Sequence, residues 1–139
     1  MIRDGMDIAI CSIDLKTRTL EFAGAYSPLI IIRDGEIMKI RGDKHPIGNF
    51  VDAADFEFTN NEMPLLPGDK IYMYSDGFID QFGGQGGKKL KYNNFKNLLL
   101  NNHQKDMADQ KEAINTFFEE WRSGLEQIDD VSLIGISIA

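Results

Sequence analysis

Two residue pairs that contain Asp, far apart in the sequence, are the first candidates for chemistry. Asp76-Gly77 directly follows the β-forming segment 70–75, and Asp129-Asp130 directly precedes the apolar C-terminal segment 131–139. If these segments form neighbouring antiparallel strands, the end of one lies beside the start of the other, and the carboxylates converge at one sheet edge. Carboxylate oxygens are hard ligands that suit Mg²⁺ or Mn²⁺, whereas Zn²⁺ would favour His or Cys.

Both pairs also have an ordinary structural interpretation. An Asp-Gly after a strand is most often a turn, and an Asp-Asp before a strand is often a solvated loop. A Ser-His-Asp site that uses Ser75 has no supporting nucleophile-elbow sequence. The residue pattern alone therefore leaves the metal site and the ordinary turn open as alternatives.

The elements that must position these residues are mostly β in the first two thirds of the chain. Segment 6–13 (MDIAICSI) is apolar at nearly every position, which predicts a strand buried on both faces. Asp34-Gly35 joins two β-rich runs, 28–33 and 36–40, and predicts a two-residue hairpin. Segment 55–59 alternates Phe56 and Phe58 with acidic residues and is interpreted as a further strand.

The apolar spacing changes from β to helical in the last third. Phe95, Leu98 and Leu99 predict one helix, and a second apolar stripe from Ile114 to Trp121 predicts another that ends at Ser123-Gly124. A final strand is expected over 131–139. The predicted fold class is α+β, with a large antiparallel sheet or a sheet sandwich.

Composition excludes several classes of function. The chain has 139 residues and a net charge of −7, which disfavours nucleic-acid or anionic-membrane binding. The single cysteine, Cys11, excludes an internal disulfide bond and fits a reducing compartment. The longest aliphatic run, Leu29 to Ile32, is far too short for a membrane helix, and the N-terminus does not resemble a signal peptide, so we predict a cytoplasmic protein.

Several separated stretches carry a family resemblance. YMYSDGFIDQFGG (72–84) and EQIDDVSLIGI (126–136) resemble the stage II sporulation protein E type of serine phosphatase, within the metal-dependent protein phosphatase 2C-like (PP2C-like) family. DGMDIAICSID (4–14), LEFAGAYSPLIIIRDGEI (20–37) and GDKHPIG (42–48) look like the same group. The motifs occur in the family order over essentially the whole chain.

The resemblance implies an αββα sandwich with two Mn²⁺ or Mg²⁺ ions per complete domain. It implies hydrolysis of phosphoserine or phosphothreonine in a protein by metal-activated water, without a side-chain nucleophile. Asp76 and Asp129 match metal-binding positions of the family, Gly77 would let the backbone pass close to the metals, and Asp80 and Asp130 are supporting candidates. The implied substrates are bacterial signalling proteins such as anti-sigma factor antagonists.

One departure from the family pattern affects the domain prediction. The family carries an earlier metal-binding Asp-Gly that nothing here matches, because Asp4-Gly5 lies where the family runs into a strand. Residues 1–139 are therefore predicted to be the C-terminal part of a single PP2C-like domain, without the bridging carboxylate. Open sheet edges would then favour association, and we expect a homodimer or another contact that covers them.

Two other functions remain as alternatives. The chain could be a non-catalytic PP2C-like module for regulation or interaction, although the presence of both Asp76 and Asp129 argues against that. It could also be an unrelated acidic β-rich domain that binds Ca²⁺, in which case the ordered motif matches would be coincidence.

Overall fold

A computed structural model of the chain describes residues 5–48 and 55–139, and within these ranges the fold is mixed α+β. The strands in chain order are β1 (Gly5–Met6), β2 (Ile8–Asp14), β3 (Thr19–Ala25), β4 (Leu29–Arg33), β5 (Glu36–Ile40), β6 (Ile47–Gly48), β7 (Asn61–Pro64), β8 (Lys70–Tyr74), β9 (Phe82–Gly83), β10 (Lys88–Lys89) and β11 (Leu133–Ser137). The helices are α1 (Lys91–Asn102) and α2 (Met107–Arg122). The predicted α+β class is confirmed.

Two main sheets pack face to face. One has four strands in the order β11-β8-β4-β5, and the other has three in the order β2-β3-β7. Every pairing within these two sheets is antiparallel, as the sequence predicts. Between the sheets lies a core of buried apolar side chains that includes Phe22, Ile31 and Ile71.

The two helices cover the other face of the four-stranded sheet. Strand residues such as Ile30 and Tyr72 point to this side, where they meet Phe95 of α1 and Phe118 of α2 in a second buried cluster. Alternate residues of β4 therefore serve two different cores, which explains why this strand is apolar throughout. No helix in the described ranges has both the length and the apolar character needed to cross a bilayer.

The ends of α2 follow from local chemistry. The Asp106 carboxylate accepts a hydrogen bond from the Asp109 N–H at 2.8 Å, which caps the first turn. At the other end Ser123 and Gly124 adopt left-handed conformations, with φ of 45° and 81°, so the helix cannot continue. The predicted helix end is confirmed, and so is the Asp34-Gly35 hairpin, whose two turn residues have φ of 51° and 76°.

The prediction that segment 6–13 is one strand buried on both faces is wrong. Asp7 interrupts it, so that β1 pairs with β6 while β2 pairs with β3. Along β2 burial alternates, and Ile10 is 64% exposed while Cys11 faces the inter-sheet core. The physical reason is that one face of β2 packs against the inter-sheet core, whereas the residues from Ile10 onward on its other face are exposed in the described structure.

The predicted strand over 55–59 is also wrong. The strand lies further along, at Asn61–Pro64, because the Thr59 N–H and hydroxyl donate to the Asp43 carboxylate at 2.7 and 2.9 Å instead of joining a ladder. Phe56 stacks on the His45 ring with centroids 4.0 Å apart. Within the motif 42–48, residues 47 and 48 form β6.

A buried ion pair ties β4 to the turn before β8. Arg33 donates two hydrogen bonds to the Asp69 carboxylate, at 2.9 and 2.7 Å, and the Asp69 side chain is 1% exposed. The Leu66 N–H donates to the same carboxylate at 2.8 Å, which closes the turn. Burial alone would raise the pKa of Asp69, but these hydrogen bonds and the Arg33 charge together lower it.

We therefore expect Asp69→Asn to reduce the free energy of unfolding by about 2 kcal/mol at pH 7, because Arg33 loses its anionic partner. The folded-state pKa lies below the usual 3.8, so this stabilisation is present above that value and is lost as pH falls through the folded pKa. Urea unfolding of the wild type and of Asp69→Asn, at pH 7 and at acidic pH, measures the difference in their free energies of unfolding. An equal difference at the two pH values would contradict the assignment.

Candidate functional site

The strand register brings the two acidic pairs to one edge of the four-stranded sheet. β8 and β11 are antiparallel neighbours, and Leu133 at the start of β11 lies opposite Tyr74 at the end of β8. Asp76 follows β8 and Asp129 precedes β11, so both lie beyond the same edge. The condition on which the sequence analysis based the convergence, antiparallel pairing of these two strands, is met.

Ser75 holds the two chain segments together beyond the ladder. Its hydroxyl donates to the Asp130 carbonyl oxygen and accepts from the Ser132 N–H, both at 3.0 Å. Its own N–H donates to the Ser132 carbonyl oxygen, also at 3.0 Å. Sequence reasoning considered Ser75 only as a nucleophile and missed this positioning role, for which the sequence carries no signal.

Gly77 allows the closest approach at this edge. A Cβ atom on Gly77 would lie 2.1 Å from the Asp130 carbonyl oxygen and 2.8 Å from its carbon. Real Cβ atoms do not approach backbone atoms so closely, so any larger residue would push the two segments apart. The sequence-based prediction assigned Gly77 to backbone passage near a metal, whereas its described neighbour is the Asp130 backbone.

The carboxylates at this edge repel one another. The pKa of Asp76 is raised first by partial burial, then by the charges of Asp80 and Asp129, with a smaller effect of Asp7. Such crowding of like charges favours binding of either protons or a cation. Asp7 was missed as a site residue, although it is the one charged residue within the otherwise apolar segment 6–13.

Asp80 and Asp130, the predicted supporting residues, each make hydrogen bonds beside Asp76 or Asp129. The Asp130 N–H donates to Oδ1 of Asp129 at 2.7 Å, which orients that carboxylate. The Asp80 N–H donates to the Asp76 carbonyl oxygen at 2.9 Å, and the Asp80 carboxylate lies 3.6 Å from the Lys89 ammonium. Asp80 thus acts on Asp76 through its charge and through the backbone.

A cavity of about 770 Å³ opens at this sheet edge. Both carboxylates and three basic residues line it. The acidic members are Asp7, Asp76, Asp129 and Asp130, and the basic members are Lys39, Arg41 and Lys44. A second cavity of about 500 Å³, between α2 and β11, has no acidic residue in its lining.

The donor chemistry fits Mg²⁺ or Mn²⁺ in kind, but the number of ligands falls short of a complete site. These cations take about six oxygen ligands. Within residues 5–48 and 55–139, no three Asp, Glu, His or Cys side chains are grouped closely enough to hold a metal ion. Asp76 and Asp129 can therefore supply part of a ligand set, and water, backbone or further side chains must supply the rest.

Comparison with known protein families identifies the family of this chain. The family model described as stage II sporulation protein E (SpoIIE) matches residues 4–139. The chain belongs to the SpoIIE family. The comparison with curated proteins gives no match.

Three solved structures share the fold of this chain. The SiaA-PP2C domain of Pseudomonas aeruginosa is 28% identical, with a TM-score of 0.83 over 96% of this chain and 51% of its own length. The SpoIIE phosphatase domain of Bacillus subtilis, presoaked with Mn, is 17% identical, with a TM-score of 0.63 over 95% of this chain and 56% of its own. The RsbU and RsbW domains of a Mycobacterium tuberculosis protein are 19% identical, with a TM-score of 0.67 over 93% of this chain and 35% of their own length. This chain spans between about a third and somewhat over half of the length of these relatives.

The contact between Gly77 and Asp130 yields a test of the site's architecture. We expect Gly77→Ala to reduce the free energy of unfolding by about 1–3 kcal/mol, because a backbone carbonyl must move. Gly86→Ala is the matched control, since its Cβ would meet nothing nearer than 3.6 Å. Urea unfolding measures both, and equal midpoints for Gly77→Ala and wild type would refute the close approach.

The raised pKa of Asp76 predicts that removing its charge stabilises the metal-free chain. The folded-state pKa lies above the usual 3.8, so the unfavourable charge is absent below that value and fully present above the folded pKa. Asp76→Asn should raise the free energy of unfolding at pH 7 by less than about 1 kcal/mol, since solvent screens this exposed group. Urea unfolding of the wild type and of Asp76→Asn, with a chelator present throughout, should show this gain at pH 7 and none at pH 3. A less stable Asp76→Asn chain at pH 7 would contradict the repulsion.

Proposed function

We propose that residues 1–139 are the C-terminal part of a PP2C-like protein phosphatase domain. In this proposal the domain hydrolyses phosphoserine or phosphothreonine in a bacterial signalling protein. Asp76 and Asp129 would bind part of a Mn²⁺ or Mg²⁺ centre. The observation that carries the proposal is the convergence of these two carboxylates at one sheet edge in a chain of the SpoIIE family.

The chain's own residues have defined tasks in this proposal. Ser75 and Gly77 hold the Asp130 backbone against the end of β8, and this sets the separation of Asp76 and Asp129. The Asp130 N–H orients the Asp129 carboxylate through its hydrogen bond to Oδ1. When bound, a divalent cation would neutralise the mutual repulsion of the carboxylates, activate water and balance the charge of the phosphoryl oxygens.

The incomplete ligand set supports the assignment to part of a domain. Two metals would need more oxygen donors than Asp76 and Asp129 provide, and the solved relatives contain roughly twice as much chain. We propose that the remaining ligands come from residues upstream of this region in a complete domain. The 139-residue chain alone should then bind metal weakly and turn over little or no substrate.

The proposed substrate is a phosphorylated regulator of the anti-sigma factor antagonist type. A structural neighbour that contains RsbU and RsbW domains supports a protein partner in signalling. The net charge of −7 also argues against nucleic acid as the ligand. The alternative is a non-catalytic module, which the small number of described ligands favours.

Mn²⁺-dependent hydrolysis of a phosphoserine peptide tests the proposal. The 139-residue chain and the longest natural polypeptide that contains it should be assayed side by side. We expect measurable turnover only in the longer protein, and a decrease of at least about 100-fold in kcat for Asp76→Asn or Asp129→Asn there, since each removes a ligand.

Asp34→Asn is the matched control for these substitutions. It removes one carboxylate from a hairpin turn that Asn suits equally well. Full activity of Asp76→Asn or Asp129→Asn in the longer protein would exclude them as ligands. Inactivity of the longer protein with Mn²⁺ and with Mg²⁺ would favour the non-catalytic module.

A further inference from the structure

Three basic residues lie at the same sheet edge as the acidic pairs, and the strand register explains why. Leu29 at the start of β4 pairs with Ile40 at the end of β5 and also with Met73 near the end of β8. The ends of β5 and β8 therefore lie side by side with one strand between them. Lys39, Arg41 and Lys44, on β5 and directly after it, line the cavity that Asp76 and Asp129 also line. We refer to these three residues as the basic rim.

The basic rim has no ion-pair partner in the described part of the chain. The ion pairs found there use Arg33, Lys89 and Arg122 instead. The nearest acidic residue in sequence, Asp43, is engaged by the N–H and hydroxyl of Thr59. The Lys39 ammonium lies 3.8 Å from the centre of the Tyr92 ring, which holds it in place without neutralising it.

Placing the Lys39 ammonium beside Arg41 is unfavourable, and a bound anion would offset that cost. Partial burial and the neighbouring Arg41 charge lower the pKa of Lys39, which reflects that cost. The basic rim also cannot help to hold divalent cations, since it repels them. A bound anion is therefore the ligand that the rim fits.

The distance between the ends of β5 and β8 indicates which kind of anion the basic rim binds. Strands in a sheet are about 4.8 Å apart, so β5 and β8 are separated by about 10 Å. An extended peptide advances about 3.3 Å per residue, so 10 Å corresponds to about three residues. A phosphoryl group held near Asp76 and Asp129 would place side chains about three residues away beside the basic rim.

We infer that the basic rim binds acidic side chains about three residues from the phosphorylated residue of the substrate. The site would then select phosphopeptides with Glu or Asp at that distance. This inference rests on the proposed phosphatase function, since it takes the phosphoryl position from the acidic pairs. A general polyanion is disfavoured, because the four Asp side chains that line the same cavity would repel it.

The test measures binding, so that it does not depend on turnover. Two fluorescent peptides carry a phosphonate analogue of phosphoserine that cannot be hydrolysed, with Glu at positions −3 and +3 in one and Gln in the other. Fluorescence anisotropy with Mn²⁺ and the longest natural polypeptide that contains this chain gives both Kd values. We expect the Glu peptide to bind on the order of ten-fold more tightly at low salt, and this preference to shrink as salt screens the charges.

A triple variant locates the preference. Lys39→Met, Arg41→Gln and Lys44→Gln together should reduce the Glu preference to about two-fold or less. The matched control, Lys16→Gln with Lys96→Gln and Lys111→Gln, lowers the net charge equally at exposed or half-exposed sites elsewhere and should keep the preference. Thermal unfolding of both variants verifies that they fold.

The outcomes separate the inference from the proposed function. Equal affinity for the two peptides, no binding of either, or an unchanged preference in the triple variant would overturn the role of the basic rim. Hydrolysis of phosphoserine peptides by the longer natural polypeptide, measured in parallel, tests the phosphatase proposal. Hydrolysis without a Glu preference rejects the rim alone, and a Glu preference without hydrolysis rejects the phosphatase alone.

Discussion

The close approach of the Gly77 backbone to the Asp130 carbonyl is the constraint on which the candidate site depends. It is possible only because residue 77 has no Cβ, and the Ser75 hydroxyl strengthens it by bonding to both sides of the junction. The β8–β11 ladder then leads directly into two acidic segments at one edge. Asp76 and Asp129 converge because two backbones are held together, and their own carboxylates oppose that convergence through their repulsion.

The rest of the fold supports this edge. Alternate residues of β4 and β8 pack into the inter-sheet core and into the core beneath the helices, so the central strands are buried on both faces. The Arg33–Asp69 pair anchors the opposite end of β8. A rigid sheet with charged residues at one edge is a suitable platform for chemistry, because packing holds the strand ends in place while the charges remain accessible to solvent. The same edge carries acids from β8 and β11 and bases from β5, and it thus presents charges of both signs to one cavity.

The sequence predicted much of this fold and, provided that β8 and β11 pair, the convergence of Asp76 and Asp129. The Asp34-Gly35 turn and the end of α2 at Ser123-Gly124 follow from local signals. The β8–β11 pairing joins strands that β9, β10 and both helices separate in the chain, and the sequence offered it only as a condition. The errors occur where tertiary contacts override a pattern. Phe56 and Phe58 alternate as in a strand, but Phe56 stacks on His45 and Thr59 bonds to Asp43. Segment 6–13 is apolar enough for a central strand, yet it divides at Asp7 and continues as an edge strand with Ile10 exposed.

By itself, the sequence determined the fold class, the family resemblance and the identity of Asp76 and Asp129 as candidate ligands, because residue type and periodicity are local properties. The tertiary structure alone revealed the hydrogen bonds by which Ser75 joins the end of β8 to residues 130 and 132. It also revealed that Asp7 lies near Asp76, and that Lys39, Arg41 and Lys44 line the same cavity. These residues come from elements far apart in the chain. Their proximity depends on strand register, which is set by the summed packing of two cores and is not encoded in any single segment.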